Sequence, residues 1–478
     1  MKSSVTQELA DFVAKVRFED LPEQVVHESK RLLLDSVGCG LAGLQVEKGK
    51  IAVELARQLG GAPEATILGL GGKVSFANAS FANGELINAL DYDVISDPPA
   101  HAAPYLIPAS LSTAEFIGGS GKDLLLAIAI GHEISRRLSE AMSGIEDSSK
   151  AGLKAIVRSA TTGLGICAIG GTLAVAKLLN LDHYKLSSVI GLAAHFTPLP
   201  TRPKTMSVLP QPATKYLSAG WLSHTEVIAA LLAHKGYDGD SSALDGDLGY
   251  WRSLGAKKWQ PKAITQQLGD AWFFPKETIY KPYPCCRLMH TSLDCLTKII
   301  VEERLLPEDI VNITVWLNAH SPHWQNRIIT NQIDAQFSAA YVLSVATHRV
   351  RVGAEWQNLS TINNQEILEF MDKIIIKPYP EAAKAAISEH PMKRMGAIVE
   401  VTAKGEKFRE ERWFGKGDPI SADTEMKDEE LIEKFRNNAS QILPWNKIDK
   451  AGELIMQLEK IENISTLLKQ VSLQSCTL

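Results

Sequence analysis

The sequence predicts a mainly α protein that contains one smaller α+β unit, and three changes in pattern along the chain indicate this. In the first half, apolar residues recur at helical spacing over long segments, most clearly over residues 23–41, 123–142 and 217–233. Near residue 270, short runs of β-branched residues replace this spacing. After Pro419, charged helical segments return. We therefore expect a helical tail that packs back onto the first half of the chain.

Two segments of the first half bear on secretion and membrane insertion. Residues 1–22 interrupt their apolar positions with Glu8, Asp11 and Lys15, which is typical of an amphipathic helix and not of a signal peptide. The most apolar run, residues 163–176, has fourteen residues, fewer than the roughly 20 that span a bilayer. We interpret it as a buried helix and predict no membrane association.

The α+β unit is expected to contain about 130 residues, an ordinary domain size. The segments 310–317 and 397–403 are rich in β-branched residues that partly alternate with polar ones, which predicts two strands. A third, polar strand is predicted at 407–413. Between these strands, the spacing of apolar residues predicts helices at 333–346 and 365–373.

Composition excludes several classes of function. The chain has 478 residues, which favours two domains or one discontinuous domain. Its formal net charge of -5 leaves no basic excess for a phosphate backbone, so nucleic-acid binding is disfavoured. Six cysteines without a CxxC pair indicate neither a disulfide framework nor a zinc finger, and favour a reducing, cytoplasmic compartment.

Two short motifs carry little functional signal. The glycine cluster at residues 69–72 lacks GxGxxG spacing and a βαβ frame, so we interpret it as a loop. His132 and Glu133 do not open an HExxH motif, because Arg136 stands where the second histidine is required. We predict that this His–Glu pair lies on the surface of a helix.

The densest group of acid/base residues lies between Asn83 and His101. A predicted helix that carries carboxylates leads into a proline-rich loop, residues 97–101, that ends in His101. Proline stiffens the loop and would hold His101 near Asp91, and an Asp–His pair can orient a proton-transfer group. The alternative interpretation is a helix end with solvated carboxylates.

A second group of residues is cationic. Arg202, Lys204 and Lys215 flank a proline-stiffened loop that contains Gln211. Three cations around one loop can bind a polycarboxylate, although ordinary surface charge would look the same.

A third reactive segment runs from Lys281 to His290 and reads Lys-Pro-Tyr-Pro-Cys-Cys-Arg-Leu-Met-His. A cysteine beside histidine or arginine can become a thiolate, so Cys286 and His290 are candidate acid/base groups or nucleophiles. Tyr283 and Arg287 are candidate contacts to a substrate. The alternative is a buried loop with inert thiols. A metal site is disfavoured because adjacent cysteines lack the usual zinc-ligand spacing.

These segments, in this order, resemble the MmgE/PrpD family over nearly the whole chain. The resemblance begins with Arg31-Leu32-Leu33-Leu34-Asp35-Ser36-Val37-Gly38-Cys39 and continues through Asn83-Gly84…Ala89-Leu90-Asp91-Tyr92-Asp93. It extends through the Lys-Pro-Tyr-Pro-Cys-Cys loop to Asp334-Ala335-Gln336-Phe337-Ser338, which is similar to the family's DAQFS helix. No single motif is decisive, but four in order identify the chain as a member.

The resemblance implies an architecture. Family members have a large all-helical domain built from both chain ends, with a smaller α+β lid inserted between them. For this chain it implies a helical domain over residues 1–272 and 415–478 and a lid over residues 273–414. It also implies a homodimer and no organic cofactor.

The resemblance further implies chemistry next to a carboxylate of a small di- or tricarboxylic acid, by dehydration, decarboxylation or epimerisation. Asp91 is similar to the family's active-site aspartate, and His101 follows at the family's ten-residue spacing. Lys215 resembles an active-site lysine that precedes a helix, and His290 resembles the histidine that closes the lid loop. Metal is not implied.

The chain also departs from the family pattern. It has Asn88, Val94 and Ile95 around the aspartate segment, where the family commonly reads HALDFDDT. Thr161 and Cys286 stand where decarboxylase members have histidines. A threonine cannot deliver a proton near neutral pH as imidazole can, which lowers the expectation of cis-aconitate decarboxylation.

Three hypotheses follow. The favoured one is a cofactor-free lyase, a dehydratase or decarboxylase, in which Asp91 and His101 transfer protons and Lys215 with Arg202 or Lys204 binds carboxylates. The second is an isomerase or epimerase that uses Cys286 and His101 on opposite faces of a stereocentre. The third is a catalytically inactive relative that only binds its ligand.

Overall fold

The computed structural model describes residues 4–96, 101–142, 144–148, 153–157, 164–198, 208–215, 218–318, 322–389 and 391–473. Over these residues the protein is mainly helical, which confirms the predicted mainly α class. Within the same ranges, every helix is too short or too polar to cross a membrane.

The chain is built mostly of helices, and its longest strands lie between residues 310 and 412. The α-helices are Val5–Lys15, Glu23–Gly43, Glu47–Leu59, Phe76–Asn88, Ala103–Phe116, Gly121–Met142, Leu164–Leu178, His183–Phe196, Ser218–His234, Tyr250–Ser253, Lys262–Thr265, His290–Glu302, Gln332–Phe337, Ala339–Thr347, Leu359–Ile362, Gln365–Phe370, Pro380–Ser388, Asp428–Ala439, Trp445–Met456 and Ser465–Leu468. The strands are Ala65–Thr66, Lys73–Val74, Ile95–Ser96, Gly144–Ser148, Leu153–Val157, Thr278–Ile279, Ile310–Leu317, Ile374–Pro378, Ala397–Ala403 and Glu406–Arg412.

The main hydrophobic core combines helices from both ends of the chain. One cluster of buried residues runs from Val5 in the first helix to Val471 in the tail. The tail helix Asp428–Ala439 packs along the helix Glu23–Gly43. Burial of these apolar faces supplies the main driving force for holding the tail against the first half.

The α+β part has a four-stranded sheet and a hydrophobic cluster of its own, from Cys285 to Ala403. The strand order is 406–412, 397–403, 310–317 and 374–378. The strand 310–317 pairs antiparallel with 397–403 and parallel with 374–378. The parallel pair requires a crossover, which the helices between residues 332 and 370 supply.

Two details of the α+β part differ from the sequence-based prediction. The helix expected over 333–346 is two helices, which meet at Ser338. The Ser338 hydroxyl accepts a hydrogen bond from the Tyr341 backbone N at 3.2 Å, and so caps the second helix. The strand Ile374–Pro378 was not expected, because its apolar residues follow a helical segment without a turn signal.

The prediction for His132 and Glu133 was wrong, because both side chains are buried and not on a helix surface. Glu133 accepts hydrogen bonds from Arg137 Nε at 2.6 Å and from the Phe273 backbone N at 2.7 Å. Burial lowers the pKa of His132 to about 4, so this imidazole is neutral at physiological pH. Both side chains therefore belong to the buried core and not to the helix surface.

Two helices that flank the candidate site cross at a pair of glycines. A Cβ atom on Gly84 would lie 2.8 Å from the Cα of Gly220, which brings the helices Phe76–Asn88 and Ser218–His234 into backbone contact. Glu85 then accepts a hydrogen bond from the Gly220 N at 2.7 Å. The crossing fixes the start of the second helix, just after Lys215, beside the segment that leads to Asp91.

Candidate active site

Asp91 lies in a buried turn just after the helix Phe76–Asn88. Its φ of 51° is in the left-handed region, which aspartate tolerates better than most non-glycine residues. The turn leads into the strand Ile95–Ser96, which pairs antiparallel with Thr278–Ile279. This pairing brings Lys281, two residues after Ile279, next to Asp91.

Lys281 holds Asp91 in this conformation. Its Nζ donates to the Asp91 backbone O at 2.7 Å and to Asp91 Oδ1 at 2.6 Å, and both side chains are buried. Burial alone would lower the pKa of Lys281, but the carboxylates of Asp91 and Asp93 outweigh it and raise the pKa. Lys281 is therefore a buried cation at neutral pH.

His101 lies near Asp91, as expected, but its shorter contact is with Asp93. His101 Nδ1 lies 2.7 Å from Asp93 Oδ2, whereas His101 Nε2 lies 3.5 Å from Asp91 Oδ1. The other oxygen of Asp93 accepts from Asn88 Nδ2 at 2.9 Å. Because a carboxylate accepts hydrogen bonds, Nδ1 carries a proton toward Asp93, and Nε2 is the ring nitrogen that faces Asp91.

Cys285 and Cys286 occupy different environments. Cys285 is fully buried, and burial raises the pKa of its thiol well above the usual value. It is therefore an inert thiol. Cys286 is half-buried, and its backbone N donates to the Gln336 backbone O at 3.0 Å. Of the two, Cys286 is the one that a ligand can reach.

His290 is a buried, neutral imidazole. Burial lowers its pKa well below the usual value, and the charges of Arg287 and Lys281 lower it further. Its Nε2 lies 3.1 Å from the Cys285 backbone O, which accepts, so Nε2 carries the proton. His290 Nδ1 is buried and has no hydrogen-bond partner among the described residues.

Two guanidinium nitrogens of Arg287 have no hydrogen-bond partner among the described residues. Its Nη2 donates to Asp418 Oδ1 in a buried ion pair. Within the described ranges, Nε and Nη1 of Arg287 are buried without a hydrogen-bond partner. Buried unpaired donors are costly, so they are natural contacts for an incoming anion.

Tyr283 and Gln211 are two further residues of the sequence-based site prediction. The Tyr283 hydroxyl donates to Asp294 Oδ1 at 2.9 Å, and its ring packs edge-on against His290. The Gln211 backbone N donates to Asp334 Oδ1 at 2.9 Å. Gln211 lines a cavity of about 930 Å³ together with Gln332 and other residues.

The remaining predicted residues fall outside the described parts. Arg202, Lys204 and Thr161 belong to ranges that the structure does not describe. Lys215 is the last residue of a short 3-10 helix, Ala213–Lys215, but its side chain is outside the described set.

Comparison with known protein families identifies the family of this chain. The description "MmgE/PrpD N-terminal domain" matches residues 7–262, and "MmgE/PrpD C-terminal domain" matches residues 283–460. The chain belongs to the MmgE/PrpD family. Asp91 and His101 lie in the part that matches the N-terminal domain, whereas Cys286, Arg287 and His290 lie in the part that matches the C-terminal domain.

Several curated relatives align with nearly the whole length of this chain. It is 24% identical to the human "Cis-aconitate decarboxylase" over 482 residues, which cover 98% of this chain and 94% of the relative. It is 22% identical to the "Cis-aconitate decarboxylase" of Aspergillus terreus over 495 residues, which cover 98% and 96%. It is 24% identical to the "Cis-aconitate decarboxylase-like protein oryM" of Aspergillus oryzae, with 98% of both chains covered.

The sequence-based site prediction for this MmgE/PrpD protein missed Asp93 and Lys281. Asp93 had a signal, since it is the second carboxylate of Asp91-Tyr92-Asp93 and precedes His101 by eight residues. Lys281 opens the Lys-Pro-Tyr-Pro-Cys-Cys loop, but its pairing with Asp91 spans 190 residues and follows only from the fold.

The same cluster has the donor types of a metal site. Asp91, Asp93 and His101 each offer one ligand atom, and these atoms lie within 4.8 Å of one another. The Nζ of Lys281 already contacts Asp91 Oδ1, however, and would repel a divalent cation. The arrangement suits proton transfer better than metal binding.

Proposed function

We propose that this enzyme is a lyase that removes carbon dioxide from a small tricarboxylate of the cis-aconitate type. The observation that carries the proposal is the buried cluster in which Asp93 orients His101 beside the Asp91–Lys281 ion pair. The names of the three relatives support decarboxylation over dehydration. They also outweigh the expectation drawn from Thr161 and Cys286.

The chemistry needs a proton donor and fixed positive charge. The bond between carbon and one carboxylate breaks, and its electron pair moves into the conjugated framework of the remaining acid. Carbon dioxide leaves, and one proton is added to carbon. Cations that contact the remaining carboxylates stabilise the negative charge that develops. No hydride or electron is transferred, so the proposed reaction requires no redox cofactor.

In this proposal His101 delivers the proton from Nε2 as the imidazolium, and Asp93 accepts the Nδ1–H hydrogen bond that orients the ring and stabilises its charge. Asp91 keeps Lys281 charged within the buried site. Nε and Nη1 of Arg287, which have no hydrogen-bond partner among the described residues, donate to one substrate carboxylate. The lone pair of His290 Nδ1 accepts from a protonated group of the substrate or from water.

The other residues of the sequence-based prediction complete the proposed site. Lys215, Arg202 and Lys204 would bind the other carboxylates, because in the sequence these cations flank the proline-containing segment around Gln211. Gln211, Tyr283 and Thr161 would shape the walls. Cys286 would contact the substrate without transferring a proton.

We also propose that residues 273–414 act as a lid on a helical domain made of residues 1–272 and 415–478. Two features support this division. The α+β part has its own hydrophobic cluster, and candidate site residues come from both sides of the boundary. A homodimer and a cytoplasmic location remain predictions, which light scattering of the purified protein and fractionation of the source cells would check.

Proton NMR in deuterated water tests the proposed reaction. The purified protein would be incubated, without added cofactor, with cis-aconitate, citrate, 2-methylcitrate and substituted succinates. We expect loss of one carboxylate from cis-aconitate and one deuterium on carbon in the product. A vinyl signal from citrate or 2-methylcitrate would instead establish a dehydratase. Deuterium exchange at a stereocentre without a new product would establish an isomerase.

Two variants make this experiment specific. H101N should abolish the new signals, because Nε2 is lost as the proton donor. H183N is the matched control, since His183 is a half-exposed histidine that pairs with Asp11 on the surface. If the wild type is silent on the whole panel and thermal shift detects binding of a carboxylate, the binding-only alternative replaces the proposal.

A further inference from the structure

The turn that carries Asp91 and Asp93 is held by a buried ion pair from two distant parts of the chain. Asp35 lies in the helix Glu23–Gly43, and Lys434 lies in the tail helix Asp428–Ala439. Lys434 Nζ donates to Asp35 Oδ1 at 2.6 Å, and both side chains are almost completely buried.

Each member of this pair also contacts the backbone of the turn. Lys434 Nζ donates to the Tyr92 backbone O at 2.8 Å, and it lies 3.9 Å from the centre of the Tyr92 ring. Asp35 Oδ2 accepts from the Val94 backbone N at 3.1 Å. The pair therefore binds the backbone of the turn at Tyr92 and at Val94, the residues on either side of Asp93.

These contacts restrict where the two carboxylates can point. Tyr92 and Val94 alternate with Asp91 and Asp93, so fixing the backbone at Tyr92 and Val94 fixes the directions in which the Asp91 and Asp93 side chains leave it. A turn with a left-handed residue needs such support, because that conformation is less favourable than the alternatives. Small displacements of proton-transfer groups have large effects on rate.

We infer that Asp35 and Lys434 are positioning residues for the proton-transfer cluster, an inference that rests on the proposed function. Neither touches the reacting atoms. They set the distance and orientation between Asp93 and His101 through the backbone of the turn. A buried ion pair is a poor source of stability compared with apolar packing, which leaves orientation of the turn as its main contribution.

A purely structural role would be to tie the tail to the helix Glu23–Gly43. The chain offers a matched control for that role, the ion pair between Lys30 Nζ and Glu459 Oε2 at 3.2 Å. Lys30 lies on the same helix as Asp35, and Glu459 lies in the same tail as Lys434. The Lys30–Glu459 pair does not contact the turn.

The experiment compares K434M, K434R, D35N and K30M with the wild type. For K434M we expect kcat on cis-aconitate to fall about 10- to 100-fold with KM nearly unchanged, because geometry and not binding is lost. K434R should recover part of the rate, since it keeps a charged donor. K30M should keep the wild-type kcat, whatever its effect on Tm. Hydrogen–deuterium exchange of peptides covering residues 88–96 should accelerate in K434M and D35N only.

The outcomes separate this inference from the proposed function. Equal losses of kcat in K434M and K30M, or losses that follow the folded fraction, would overturn the positioning role. If the wild type does not turn over cis-aconitate, the proposed function fails and the exchange measurement decides alone. Faster exchange over residues 88–96 in K434M but not in K30M supports the inference, and equal exchange refutes it.

Discussion

His101 directs one ring nitrogen to each of two carboxylates: Nδ1 lies 2.7 Å from Asp93 Oδ2, and Nε2 lies 3.5 Å from Asp91 Oδ1. The two contacts are not equivalent. The shorter one keeps a proton on Nδ1 and fixes the plane of the ring, whereas the longer one directs Nε2, the nitrogen proposed to transfer a proton, toward Asp91. Asp91 is in turn neutralised by Lys281, so the ring faces an ion pair and not an isolated carboxylate.

The first prediction concerns D93N. An asparagine in place of Asp93 can present its amide NH₂ to His101 Nδ1 and thereby favour the wrong tautomer. We expect kcat to fall by a factor of about 100 or more, the usual contribution of a general acid or base. Stopped product assays on cis-aconitate would measure it, and nitrogen NMR of the labelled imidazole would show the tautomer. Wild-type kcat in D93N would exclude Asp93 as the orienting residue.

The second prediction concerns K281M, which leaves the Asp91 carboxylate buried without its cation. Removing one partner of a buried ion pair costs about 3–5 kcal/mol, so the free energy of unfolding in urea should drop by that order. The double variant D91N/K281M should recover much of the stability, because no charge is left unpaired, but none of the activity. A double variant as unstable as K281M would show that the pair is not energetically coupled.

The third prediction concerns Glu226, a buried carboxyl in the helix Ser218–His234 whose oxygens have no hydrogen-bond partner among the described residues. Burial raises its pKa well above the ordinary 4.5, so the folded protein keeps it protonated. At a pH below the pKa of Glu226 in the unfolded chain, the group is protonated in both states and its burial carries no charge penalty. As pH rises from that pKa toward the higher pKa of the folded state, the unfolded chain loses the proton first, and the free energy of unfolding falls.

E226Q should therefore be more stable than the wild type at pH 8 and should lose the pH dependence that Glu226 causes. That dependence is at most about 1.4 kcal/mol per pH unit. Urea unfolding at pH 5, 6.5 and 8 would measure it, with E433Q as the control at an exposed position. Parallel stability curves for E226Q and the wild type would contradict the prediction.

The fourth prediction separates the lyase from the isomerase. Cys286 is the reachable thiol of the Cys285–Cys286 pair, and an epimerase that uses it as one of its two acid/base groups would lose turnover in C286S. In the proposed decarboxylase His101 delivers the proton, so C286S should keep most of its activity on cis-aconitate. Rates of product formation and of deuterium exchange, measured in the same sample, would distinguish the two cases.

Local patterns in the sequence predict much of the fold. The strands Ile310–Leu317 and Ala397–Ala403 have the predicted bounds, because short runs rich in β-branched residues mark them clearly. The strand Ile374–Pro378 was missed because its place is set by parallel pairing with Ile310–Leu317, a contact that no local pattern encodes. The break at Ser338 depends on one capping hydroxyl within an otherwise helical run.

For the site, the sequence predicts the reactive groups better than their partners. Asp91 and His101 are close in the chain, so their proximity was expected, but the choice of Asp93 as the nearer carboxylate depends on how the turn is held. The contacts of Lys281 with Asp91 and of Lys434 with Asp35 join residues 190 and 399 positions apart. Such contacts arise only when the helices and the α+β part have packed.

The distance in sequence between Asp35 and Lys434 has a consequence for synthesis of the protein on the ribosome. Asp35 is translated 399 residues before its cation. If the first helices packed together early, the nascent chain would have to bury the Asp35 carboxylate without its cation, at a cost of several kcal/mol. We therefore expect the N-terminal helices to stay loosely packed during elongation and to consolidate after release. This order differs from the usual one, in which N-terminal domains fold first.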